Sequence, residues 1–165
     1  MKVLKVRDVK TPTRGTSLSA GIDFFVPNDF TEKTLMPQED MLIPSGIKAK
    51  FDDNLMLMAA EKSGVTTSRR AVIDAEREPK AEAFESITIL GAKIVDADYQ
   101  GEIHIHIINV GRYPVKIKPG FKIAQFILVP VMYDKVEEVS SEDELYNGIV
   151  TERGEGGIGL GTGNE

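Results

Sequence analysis

Glu102-Ile-His-Ile-His-Ile-Ile-Asn-Val110 sets Ile103, Ile105 and Ile107 on one face of an extended chain and Glu102, His104 and His106 on the other. Alternation with period two marks a strand with one face in a core and the other toward solvent. Outward from it, residues 122–131 (KIAQFILVPV) and 87–90 are short apolar runs suited to buried strands, and Leu55–Ala60 is a weaker one. Turn residues punctuate them at Pro27-Asn28, Pro44-Ser45-Gly46, Asp52-Asp53-Asn54, Gly111-Arg112-Tyr113-Pro114 and Lys118-Pro119-Gly120. Many short strands so separated predict an all-β sandwich or barrel.

Two segments depart from this pattern. Residues 66–86 are dense in charge, carry several alanines and Pro79, and read as a surface insertion. From Arg153 to the end the chain holds six of its fifteen glycines. Such a run buries little and costs backbone entropy to order, but its amides can approach phosphate oxygens closely. It reads either as a loose terminus or as an arm, headed by Arg153, that closes over an anion. The acidic stretch Ser140–Glu144 is expected to begin a mobile link to it. The organisation predicted is a β domain over 1–139 and a linker with an arm over 140–165.

Composition narrows the function. A chain of 165 residues is long enough for one domain with a real core. The net charge of −6 gives no electrostatic footprint for a nucleic-acid backbone, and a polyphosphate ligand would need a cation or a local basic cluster. With no cysteine there is no disulfide, thiolate metal site or cysteine nucleophile. No apolar stretch approaches a membrane span, and no secretory signal is visible, so a cytoplasmic protein is expected.

Four constellations could carry chemistry. Lys62-Ser63-Gly64 follows a strand candidate and could offer a hydroxyl and amides to phosphate, although Ser-Gly is also common loop punctuation. Asp96 and Asp98, placed i and i+2 beside Tyr99, would point the same way in an extended segment. They read as a hairpin turn with solvated acids, or as a general base for water next to a ring that packs on a sugar. Gln125 lies in an apolar strand, with Lys122, Ala124 and Phe126 expected on one face and Ile123 and Gln125 on the other. Once buried it needs hydrogen-bond partners. His104 and His106 have zinc-site spacing, but with no third ligand suggested an exposed strand face is the better account.

Taken in order, these segments resemble the five motifs of the trimeric dUTPase family. The matches are Ala20-Gly-Ile-Asp-Phe24, Lys62-Ser-Gly64, Ile94-Val-Asp-Ala-Asp-Tyr-Gln-Gly-Glu102, Gly120-Phe-Lys-Ile-Ala-Gln125, and the glycine-rich run from Arg153 to Gly163. The resemblance covers nearly the whole chain. It implies a distorted jelly-roll (β-clip) homotrimer that hydrolyses dUTP to dUMP and pyrophosphate with Mg²⁺ on the triphosphate. Active sites would lie between subunits: one chain lends motifs one, two and four, the next motif three, and the third its arm. By that analogy Asp96 is the general base and Tyr99 stacks under the deoxyribose. Lys62, Ser63, Gly64 and Gln125 hold phosphates, Arg153 clamps the γ-phosphate, and Ile158 and Gly159 cover the base. Asp23 reaches the magnesium through water.

The chain departs from the family pattern in three places. Glu61-Lys62 stands where the second motif usually reads Pro-Arg, Ile158 where the fifth has an aromatic ring, and Lys93 where a glycine usually precedes the aspartate. The insertion adds a fourth oddity. They leave open a related deoxynucleoside triphosphate pyrophosphatase with altered base specificity, or a regulatory protein on the same fold that uses the insertion to bind a partner.

Overall fold

In a computed structural model the described residues are 1–61 and 88–154. Among them the strands form four antiparallel sheets. Strand β1 (Lys2–Lys5) pairs with β6 (Ile47–Lys50), and β4 (Lys33–Leu35) with β11 (Val115–Ile117). A three-stranded sheet has β10 (His104–Asn109) between β5 (Asp40–Pro44) and β8 (Thr88–Leu90). The five-stranded sheet runs β2 (Thr13–Arg14), β3 (Ile22–Phe25), β12 (Lys122–Pro130), β7 (Leu55–Ala60), β9 (Ile94–Val95). Among the described residues the chain is all-β apart from one short helix, as its alternation predicts.

The core explains why these pairings hold. Ile103, Ile105 and Ile107 are buried, as are Phe24, Leu35, Ile43, Leu57, Val115 and Phe126, which come from different sheets. Each such side chain taken out of water stabilises by roughly 1.5–3 kcal/mol before entropy is counted. Phe24 and Phe126 meet with ring centroids 4.5 Å apart, tilted at 49°, and hold β3 against β12. Asn109 is fully buried, yet its amide donates to the Leu35 and Tyr113 carbonyls and its oxygen accepts from Gly111 N–H, so no polar cost remains.

Three local expectations change. The β12–β3 register shifts between Lys122 and Ala124, so Ile123 and Ala124 are buried in succession and the simple two-face alternation of this strand fails. A bulge turns one residue out of phase with its partner strand. Asp96–Tyr99 is not extended: Tyr99 N–H donates to the Asp96 carbonyl (3.2 Å) in a tight turn with both acids exposed. And Ser140–Glu144, expected to begin a mobile link, leads into helix α1 (Glu142–Tyr146). Ser141 Oγ accepts from Glu144 N–H while the Glu144 carboxylate accepts from Ser140 N–H and Oγ–H. These reciprocal bonds satisfy amides at the helix start, and Asn147 closes the other end in the left-handed region.

The chain divides into two compact units, Met1–Met132 and Tyr133–Glu165. The sheets and their core belong to the first. The helix and Arg153, in the turn at 152–154, belong to the second.

Candidate active site

Strand β12 collects most of the site. Its Gln125 pairs with Asp23 of β3 on one side and Ala60 of β7 on the other. Three segments far apart in sequence are thereby held at backbone spacing, about 4.8 Å per strand. Gln125 is half-buried, and its Nε2 donates to the Glu61 carbonyl at 2.9 Å. The amide fits because residue 21 is glycine: any Cβ there would overlap the Gln125 side chain. Sequence reading found Gln125 and Gly21 but not this dependence.

Asp23 is 3% exposed, and Lys122 Nζ lies 2.8 Å from its Oδ2. The bulge supplies that lysine, which sequence reading assigned no role. Among the described residues no three His, Cys, Asp or Glu side chains surround one point as a metal cage would. A magnesium ion keeps several waters and takes substrate phosphate oxygens readily. A single carboxylate at Asp23 fits such a substrate-borne ion and does not fit a site held by the protein alone. His104 and His106 bind elsewhere: His104 Nδ1 is 2.9 Å from the Glu102 carbonyl, and His106 spans Asp40 and the Ala92 amide.

The turn after β9 carries Asp96, Asp98 and Tyr99, all exposed. Tyr99 folds back so that its hydroxyl donates to the Glu102 carbonyl at 2.9 Å. Gly101 permits this, since a methyl there would overlap the ring. Glu102 anchors the other end of the turn. Its Oε1 accepts from Arg7 Nε (2.8 Å) and Gly46 N–H (2.7 Å). Burial pushes the Glu102 carboxyl up, but the Arg7 guanidinium and the Gly46 amide outweigh it and hold the group below its ordinary value. Beside the turn a groove of about 400 Å³ opens, lined by Lys2, Leu4, Lys48, Lys50, Asp98 and Tyr99.

The two halves of the site are not adjacent within one chain. In the β7–β9 register Leu57 pairs with Val95 and Met58 with Ile94, so Asp96 lies beyond Val95 toward the start of β7. Gln125 is level with Ala60, at the far end of β7 and on its other side. Four strand residues and two strand spacings separate them, about 13 Å along and about 9.6 Å across.

Two of the departing residues meet. Lys93 Nζ lies 2.8 Å from Glu61 Oε1, and that oxygen also accepts from Leu90 N–H at 3.3 Å. The Lys93 ammonium, donating to it, holds the Glu61 carboxyl below the ordinary carboxylate range against a smaller opposing effect of burial. Lys62, Ser63, Gly64, Ile158, Gly159 and the insertion at 66–86 lie outside the described residues.

Comparison with known proteins identifies the family. The dUTPase family profile matches residues 79–161. The deoxyuridine 5′-triphosphate nucleotidohydrolase of Caldanaerobacter subterraneus is 32% identical over 154 residues, covering 93% of this chain and 88% of its own. The Escherichia coli enzyme of the same name is also 32% identical, over 155 residues, with 93% and 87% covered. The structure of Staphylococcus bacteriophage 80alpha dUTPase with dUpNHpp superposes with a TM-score of 0.72 at 20% identity, covering 96% of this chain and 95% of that one. A family profile over half the chain, with relatives of this identity along nearly its whole length, makes the chain a member of the dUTPase family of enzymes.

Proposed function

We propose that the chain carries out its family's reaction, hydrolysis of dUTP to dUMP and pyrophosphate, with Asp96 as general base. A water oxygen attacks the α-phosphorus as its proton passes to the Asp96 carboxylate, and the bond to the departing pyrophosphate breaks. Such attack needs a positioned base, neutralised charge and excluded water, but no protein nucleophile, which suits a chain without cysteine. The exposed Asp96 is free to meet a substrate brought by another surface. Tyr99 lies under the deoxyribose, Gln125 with Lys62, Ser63 and Gly64 holds phosphates, Arg153 clamps the γ-phosphate, and Ile158 and Gly159 cover the base. When bound, magnesium neutralises phosphate charge, and Asp23 addresses its waters.

The observation that carries the reading is the separation of Asp96 from Gln125 along β7. If both act on one triphosphate, they come from different chains, so the catalytic unit is an oligomer; we assign it as a homotrimer. Apolar side chains left outside a single chain support assembly, among them Leu4, Met132 and Val136, the last fully exposed. Residues 1–139 then serve as the β domain and 140–165 as linker and arm. Among the described residues no helix is long and apolar enough to cross a membrane, and a cytoplasmic location belongs to the same proposal.

The test is pyrophosphate release from dUTP, dTTP, dCTP and UTP, with and without magnesium. We expect dUTP to be hydrolysed with the highest kcat/KM and chelation to abolish turnover. A higher kcat/KM for dTTP or dCTP would overturn the substrate assignment and leave the fold intact.

A further inference from the structure

Glu61 stands where three segments of the site converge. Its carboxylate takes Lys93 Nζ at 2.8 Å and the Leu90 amide at 3.3 Å, which ties the end of β7 to the chain running from β8 into β9. Its carbonyl accepts Gln125 Nε2 at 2.9 Å. One residue further on begins the Lys62-Ser63-Gly64 segment. The backbone carries Lys93 to the same place, because its carbonyl accepts the Ala59 amide at 2.7 Å. Lys93 is thus fixed at the Gln125 end of β7, whereas Asp96, three residues later, passes to the other end.

We propose that Glu61, latched by Lys93, is a positioning residue for dUTP hydrolysis that fixes the Gln125 amide. The inference rests on the phosphate-holding role given above to Gln125. The pair joins two residues that depart separately from the family pattern, so neither has its value alone. Glu61 without Lys93 leaves a half-buried carboxylate that, among the described residues, only backbone amides serve. Lys93 without Glu61 leaves an ammonium beside the phosphate end with no fixed position. The role is one of geometry: Glu61 touches neither substrate nor reacting atoms.

A positioning role predicts coupled effects on substrate binding, and a merely structural one does not. The experiment compares E61A, K93A, E61A/K93A and the exchanged pair E61K/K93E, measuring KM and kcat for dUTP together with the melting temperature. Each single variant should raise KM about fivefold with a smaller change in kcat, as loss of a half-exposed charged contact allows. The double variant should be no worse than the poorer single, since both break one link. The exchanged pair should recover at least half of the lost affinity on a logarithmic scale. Strictly additive effects on KM, or unchanged KM with only a lowered melting temperature, would overturn the proposal. The unaltered protein is the control for the underlying reading: if it fails to hydrolyse dUTP, that reading falls with it. If it is active and the singles are additive, the positioning role falls alone.

Discussion

Gly101→Ala isolates the ring of Tyr99 from the rest of the fold. A methyl at 101 would overlap the hydroxyl end of Tyr99, the far end of a flexible side chain, so the ring moves and the backbone stays. Gly101 has no left-handed φ, so alanine adds no backbone strain. What is lost is the bond from the Tyr99 hydroxyl to the Glu102 carbonyl. A single bond of that kind contributes about 0.5–1.5 kcal/mol, which lowers the population of the folded-back ring by a factor of about 2–13. If that ring is what leaves no room for a 2′-hydroxyl, the preference for dUTP over UTP should shrink by the same factor. The glycine lies outside the core, so the melting temperature should fall by only about 2–5 °C, the loss of that one bond. The assay is kcat/KM for pyrophosphate release with each nucleotide, beside a thermal melt. An unchanged dUTP/UTP ratio in a stably folded Gly101→Ala protein would refute the assignment of the sugar filter to Tyr99.

Further outcomes follow from the same geometry. Asp96→Asn keeps size and removes basicity, so kcat should fall by about 10²–10⁴ with nucleotide binding retained; near-normal turnover would move the base to Asp98. Glu102→Gln should cost about 1 kcal/mol at pH 7, or roughly 3 °C, by weakening the contacts with Arg7 and Gly46 N–H. The folded Glu102 carboxyl lies below its unfolded value, so its contribution is present above the unfolded value, near pH 4.3, and lost as pH falls through the folded one. Melts of both proteins from pH 7 to pH 3 should therefore converge in acid, and a constant difference would contradict the ion-pair account. Removing residues 153–165 should lower kcat at least tenfold and move the ligand-free melting temperature by no more than about 2 °C, because glycine-rich sequence buries little. A large loss of stability without ligand would make that segment a structural strap.

How much could be seen in the sequence depended on how local each signal is. Ile103, Ile105 and Ile107 face the core as their alternation predicts, because side-chain period in a strand is fixed by the backbone alone. A turn with solvated acids is one reading of Asp96–Tyr99, and the backbone bond from Tyr99 to Asp96 forms such a turn without bearing on the proposed role of Asp96 as base. Ser141 and Glu144 carry a helix-start signal three residues apart, but in so short and acidic a stretch the cap is legible only once its bonds are seen. The bulge at Ile123 has no such mark: it follows from fitting Phe24 against Phe126 while Lys122 reaches Asp23. Glu61 and Lys93 were each visible as exceptions, yet thirty-two residues separate them and only the β7–β9 pairing makes them one contact.

Strand β7 explains why Gln125 and Asp96 lie apart within one chain, and so why the proposed reaction calls for more than one. A strand in mid-sheet has two neighbours, and here they are β12 with Gln125 and β9 with the approach to Asp96. Antiparallel pairing on both sides sends β12 and β9 along β7 in the same sense. Gln125 lies early in β12, level with the end of β7, whereas Asp96 comes after β9, level with its start. No side-chain rotation closes a gap of more than 10 Å, and sliding β9 would expose Leu57 and lose the Lys93–Glu61 latch. The chain therefore holds Gln125 and Asp96 apart, and on the proposed roles one half-site would grip phosphate while the other supplied a base and a ring. The proposed homotrimer would satisfy this, since in a closed ring of identical subunits every Asp96 would face a neighbour's Gln125.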